Sequence, residues 1–322
     1  MDQNTFINDL RRRFGQNGWI LLVYYLIMNL AVMLAVFVDE MILYIQYLLN
    51  PNAFTQDIET LFLERAAGNG WGYLLACIVG GIILLCWKKP DFIIRQIWHK
   101  EKSMTGKAFA VMFCIFLSGQ AVQLLLSPVL EWLLNQIGLS AMASLESATA
   151  GINTFSMFLY MAIFAPVFEE ILFRGLILRN LLPYGKKFAI LASAFLFGMF
   201  HGNLLQSPYA FLVGLVLGYT AVEYSISWAI VLHMFNNLVL GDLMVRLSKL
   251  MPSIYVDTAL YVLIFGCAAA TLILAAANIR KITKYLGSRR IHPMCLRSFF
   301  SSAGIIVFSL LMIVSMIALL FV

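Results

Sequence analysis

Long uninterrupted apolar runs dominate the chain, with neither the alternation of a half-buried strand nor the one-sided stripe of a soluble helix. The first, 19–38, contains no charged residue and matches the roughly 20 residues a helix needs to cross a hydrocarbon core. Further runs occupy 70–87, 108–126, a stretch starting near Phe155, 188 to about 205, 208–222, 226–240, 258–278 and 303–322. The pattern predicts an all-α, polytopic membrane helix bundle of about nine transmembrane helices, with eight as the alternative. It divides into an N-terminal membrane region (1–153, three spans), a polar-marked core (154–245) and a C-terminal membrane region (246–322, two spans). Arg11, Arg12 and Arg13 precede the first run as in a secretory signal, but the run is too long and lacks a small-x-small cleavage site, so it reads as a retained anchor. Between the third and fourth runs, 127–148 carries Leu130, Trp132, Leu133, Leu134 and Ile137 without a basic residue, the composition of an interfacial helix or a covered loop.

Composition agrees: 62% hydrophobic and 12% charged residues at a mean hydropathy of +0.88 exclude a soluble chain of 322 residues. The net charge of +6 points to orientation and not to nucleic acid. All but Arg65, Arg246 and Lys249 of the 22 basic residues precede the first run or fall in 88–107, 174–187 and 280–297. Alternate loops put these segments on one side, and the positive-inside rule then predicts a cytoplasmic N-terminus and an external C-terminus. Cys77, Cys86, Cys114, Cys267 and Cys295 form no CxxC and read as packing residues. Gly198-x-x-x-Gly202 and Gly214-x-x-x-Gly218 are small-xxx-small patterns that suit close helix packing. No internal repeat is visible, which argues against an inverted-repeat transporter.

Ionisable groups inside apolar runs cost about 2.5 to 3.5 kcal/mol each on insertion scales and call for an explanation. Here they are Glu169, Glu170 and Arg174 in the fourth run, His201 in the fifth, and His233 with Asn237 in the seventh. Glu169 and His201 lie equally far from the turn at Pro183 to Lys187, about 21 Å at 1.5 Å per residue. His233 and Asn237 lie about 12 and 18 Å beyond the turn at Glu223 to Ser225. All are expected in one layer. Glu170 and Arg174 are an i, i+4 ion pair in the favoured order, and His233 and Asn237 share a face. Glu169, turned away from Glu170, is expected to meet His201 or a water beside it and to accept a proton, while the guanidinium keeps Glu170 charged. Each feature has an ordinary explanation: a structural ion pair, a packing histidine, an amide bridging helices. Two acids, two histidines and an amide at one depth on three helices exceed those explanations. His99 and His292 sit in loops, and His292 with Cys295 supplies two ligands, too few for a metal site.

At these residues the sequence resembles the CAAX-processing and bacteriocin-processing intramembrane proteases, the CPBP or abortive-infection family that includes the CAAX prenyl protease 2-like proteins. The likeness spans roughly 155–240 and rests on three motifs in order: Glu169-Glu170-Ile171-Leu172-Phe173-Arg174, Phe197-Gly198-Met199-Phe200-His201 and His233-Met234-Phe235-Asn236-Asn237. The resemblance implies a membrane-embedded endopeptidase in which Glu169 and His201 hold the attacking water, His233 and Asn237 stabilise the oxyanion, and Glu170 and Arg174 support. The family's best-known members have eight spans, hence the alternative count. It implies a membrane-associated protein or peptide as substrate, the lipid bilayer as surroundings, no nucleic acid, and the plasma membrane of a bacterium as the expected location. HExxH is absent, so the chain is not a zincin. No cofactor is expected, although Glu169, His201 and His233 are a donor set for Zn²⁺ or another divalent cation in the older metalloprotease view. Rival readings are a non-catalytic scaffold or regulator of the same fold and a proton-coupled transporter.

Overall fold

The computed structural model describes residues 3–88, 92–142, 154–288 and 290–321, and these form helices without a strand among them. Helix α1 (Gln3–Leu49) is 47 residues long, about 70 Å, and so extends well beyond its predicted span of 19–38. Helices α2 (Ile58–Gly68), α3 (Trp71–Trp87) and α4 (Gly106–Asn135) follow. Asp57 and Thr105 cap α2 and α4 by accepting backbone N–H bonds, from Glu59 and Thr60 and from Ala108. Pro128 lies inside α4, so 128–135 continues a long helix in place of the separate interfacial helix that composition suggested, and 143–148 fall outside the described residues.

The polar-marked core is α5 (155–181), α6 (Lys186–Phe200), α7 (Gln206–Glu223) and α8 (Ile226–Leu250). Three stretches in it widen to π-helical turns: Tyr160–Phe164 and Ile171–Ile177 in α5, and Asn236–Leu243 in α8. Helices α9 (Ser253–Ala277), α10 (Ile279–Gly287), α11 (Pro293–Phe300) and α12 (Ala303–Ala318) complete the chain.

Five helical stretches among the described residues are long and apolar enough to cross a membrane: α1, α2 with α3, α4, α8 and α9. A sixth is counted if α11 and α12, bent by 60° at their junction, act together. The runs predicted from 155, 188 and 208 are helices too, but α5 is broken by π turns and α6 has only 15 residues, about 22 Å. Helix α6 stops short because Gly202 takes a left-handed φ of 58° just past its end, a position that glycine fills without strain. Gly202 is therefore a helix terminator, with Met312 Sδ of α12 3.9 Å from where its Cβ would be, while Gly198 packs more tightly, facing Ser207 O and Phe211 of α7. Gly214 and Gly218 do act as spacers, against Ala194 and Ile190 of α6.

A close helix crossing joins the two ends of the described chain. A Cβ on Gly18 would lie 2.2 Å from Gly304 O, and one on Gly304 would lie 2.1 Å from Gly15 O, so α1 and α12 touch backbone to backbone. The basic segments meet at one end of the bundle. Lys102 and Lys186 converge on Glu223 at 2.7 and 2.9 Å, and Lys187 donates to the carbonyls of Tyr285, Leu286 and Ser288. Arg11 donates to Ser301 Oγ, and Phe14 packs edge-on to Tyr184. This matches the single side that the charge distribution predicts. The cysteines are all free; Cys77 is buried as expected of a packing residue, whereas Cys86 is exposed.

Candidate active site

Thr154 starts α5 by accepting from Met157 N, and Pro166, which has no N–H to give, follows directly on the first π turn. Glu169 and Glu170 thus stand on a single α-helical stretch between two widened turns, an irregularity found often at functional sites. The two acids point to different surroundings. Glu170 is fully buried and its Oε1 accepts from Arg174 Nη1 at 2.8 Å, as i, i+4 spacing predicts. Arg174, also fully buried, donates to Gly214 O of α7 at 3.3 Å and stacks 4.2 Å from the Phe197 ring centroid. Glu169 retains 15% of its side-chain exposure and lies within electrostatic reach of His201, Arg174, Tyr24 and Tyr160.

His233 is held by the ion pair. Its Nδ1 is 2.9 Å from Glu170 Oε1, and its Nε2 is 3.8 Å from Glu169 Oε2. His201 caps the end of α6, with Nδ1 2.9 Å from Phe197 O. A carbonyl or a carboxylate only accepts, so both histidines carry a proton on Nδ1 and leave Nε2 for other use. Phe197 gathers the layer: its ring meets His201 edge-on at 4.8 Å, His233 at 5.7 Å and the Arg174 guanidinium on its face. Arg174, His201 and His233 thus meet around one ring. Glu169, expected to meet His201 or a water beside it, lies 3.8 Å from His233 Nε2.

Asn237 lies in the π turn of α8 and donates to Met161 O of the first π turn of α5 at 2.9 Å, and its second N–H has no partner among the described residues. Its Oδ1 accepts from Asn236 Nδ2 at 3.0 Å. Asn236 Oδ1 in turn accepts from Gln120 Nε2 at 2.8 Å and from Tyr209 OH at 2.6 Å. Gln123 donates to Leu205 O at 2.8 Å and Asn203 caps α7, which fixes the turn after His201. Sequence reasoning missed Gln120, Tyr209 and Asn236; the amide beside Asn237 was the available signal. An apolar cavity of about 300 Å³ lies beside Phe168 and Leu172, next to the acids in sequence, with Trp19, Tyr24, Gly80 and Trp87 on its other walls. Among the described residues no group of three or more His, Cys, Asp or Glu is gathered to hold a metal ion, so Glu169, His201 and His233 do not converge as a ligand set.

The fold and site define an all-helical membrane chain with a buried polar layer on α5, α6 and α8. Residues 151–239, which contain that layer, match the family model for Rce1-like proteins, type II CAAX prenyl endopeptidase Rce1-like. This is the family the three motifs resemble. The family so described is one of CAAX proteases, and the matched stretch is the part of this chain that carries the polar layer. No curated protein and no solved structure matches the chain.

Proposed function

We propose that the chain is an intramembrane endopeptidase that hydrolyses a peptide bond in a membrane-associated protein or peptide, by CAAX-type or bacteriocin- and pheromone-type processing. The observation that carries this is Glu169 standing 3.8 Å from His233 Nε2, against a Glu170–Arg174 pair that has no solvent exposure. Glu169 then acts as the base: it takes a proton from a water held with His201, the oxygen attacks the scissile carbonyl, and the proton passes on to the leaving amine. The developing oxyanion meets His233 and the second N–H of Asn237. Glu170, fixed by Arg174, orients His233. The apolar cavity beside Phe168 accommodates the hydrocarbon part of such a substrate. Nine spans, with the N-terminus and the basic loops in the cytoplasm of a bacterial plasma membrane, complete the proposal.

A second reading rests on the histidine tautomers. Metal-bound histidines usually donate their other N–H to a carboxylate or a carbonyl, as His233 and His201 do. In that reading Glu169, His201 and His233 would hold Zn²⁺ or another divalent cation, which supplies a polarised water. The glutamate reading is preferred because Asn237, one turn from His233, offers a second donor for an oxyanion. Mass spectrometry of peptides released from membranes carrying the wild type or Glu169→Gln tests the activity, with wild-type-only products expected. Equal products would overturn it, and a Glu169→Gln chain that restores a deletion phenotype would assign the protein to a scaffold role. Exhaustive chelation with metal content measured on the same sample separates the mechanisms: retained cleavage supports the glutamate.

A further inference from the structure

Helix α10 (Ile279–Gly287) begins two residues beyond α9, an apolar helix long enough to cross a membrane. None of its residues is buried. Ile279, Ile282 and Leu286 recur at helical spacing with Tyr285 beside them, and Arg280, Lys281 and Lys284 occupy the opposite face. The apolar side chains are exposed, Leu286 by 63%. Arg280, Lys281 and Lys284 make no ion pair among the described residues, and the sequence has no acid after Asp257 to supply one nearby. Its far end is anchored: Lys187, at the start of α6, donates to the carbonyls of Tyr285, Leu286 and Ser288 and lies 4.7 Å from the Tyr285 ring centroid.

We propose that α10 is a membrane-surface helix that binds anionic phospholipid headgroups through Arg280, Lys281 and Lys284 while Ile279, Ile282 and Leu286 enter the acyl boundary. The partner follows from both faces together. An apolar stripe opposite a basic stripe matches a layer that is hydrocarbon below and phosphate above, and α9 delivers the helix to that boundary. A water-exposed helix would leave the apolar stripe unused, and an acidic protein partner would leave it uncovered. Because Lys187 couples α10 to the start of α6, whose other end carries His201, lipid bound here also steadies the frame of the polar layer.

Hydrogen exchange of residues 279–287 tests this on the full chain in nanodiscs of phosphatidylcholine, with and without phosphatidylglycerol. Each basic residue near an anionic surface is worth about fivefold, so exchange should slow by roughly tenfold or more in the anionic discs. Added salt should reverse the effect, a check that needs no variant. Combined R280Q, K281Q and K284Q should remove the difference between discs, with exchange in α9 and α11 reporting whether the fold is kept. Ile282→Asn with Leu286→Asn should speed exchange in both discs. Equal exchange in the two discs, or protection insensitive to salt, would overturn the proposal. Protection in detergent that rises with protein concentration would assign the face to a second copy and overturn it as well.

Discussion

Glu169 and Glu170 are adjacent and chemically identical, yet their substitutions should fail in different ways. Arg174→Ala takes the guanidinium from a fully buried Glu170 and leaves it His233 Nδ1 as partner, and breaking such a buried pair, about 3 to 5 kcal/mol, should lower accumulation and thermal stability along with activity. A variant that is inactive but fully heat-stable would make Arg174 a direct participant. Glu169→Gln removes no tight pair, so the protein should accumulate and melt normally while cleavage disappears. Tyr209→Phe deletes a 2.6 Å bond to Asn236 that steers Asn237, and should lower kcat by roughly tenfold, about 1.4 kcal/mol, with KM little changed. A change confined to KM would remove Asn237 from the transition state. The charged members of the layer were legible in the sequence because a charge in an apolar run is costly and rare. Gln120, Tyr209 and Asn236 are uncharged and cheap to insert, so their sequence signal is faint. That His233 turns Nδ1 to Glu170 is a matter of ring orientation, which spacing does not encode.

Among the helices, glycine spacing gives a graded test. Gly18→Ala would put a methyl group 2.2 Å from the Gly304 carbonyl, and with two backbones in contact there is no side chain to move aside. It should reduce thermal stability by about 1 to 3 kcal/mol, as overpacking does, whereas Gly15→Ala, with its nearest atom at 3.5 Å, should be tolerated. At the ends of α6 and α7, burial by itself would raise the Glu223 carboxyl, but hydrogen bonds from Lys102 and Lys186 bring it below its ordinary value of 4.5. A lowered carboxyl stabilises the fold at neutral pH, and that contribution is lost as the pH falls below 4.5 and passes the folded-state value. Melting of wild type and Glu223→Gln should therefore differ modestly at neutral pH and converge in acid, modestly because both lysines are exposed. Hydropathy reveals where apolar helices run and is blind to the rest of this scale. It does not register π turns, and it carried the fifth run past Phe200 because the residues beyond the break remain fairly apolar. Composition set 127–148 apart from the third run, whereas α4 continues through Pro128 to Asn135.

Across the whole molecule, the basic segments near Arg11, Lys102, Lys186 and Tyr285 gather at one end of the bundle, so cysteines introduced into 88–107 and 280–297 should react alike. In intact cells an impermeant reagent should label neither until the membrane is opened; ready labelling of both would invert the orientation, and labelling of one alone would break the shared side. The all-helical membrane class was accessible from hydropathy, the polar layer from residue types at matched depth, and the family from the three motifs that the layer carries. The number of crossings was not, because α5, α6 and α7 are interrupted or short and lean on their neighbours for burial. The backbone seam between α1 and α12 bears on biogenesis. During synthesis α1 enters the bilayer first and α12 last among the described helices, so the groove over Gly15 and Gly18 stays open to lipid while the helices of the polar layer are already in place. The nascent chain must hold α1 in waiting, and a ribosome stalled before Gly304 would leave an unlatched protein with every motif present, a substrate for membrane quality control.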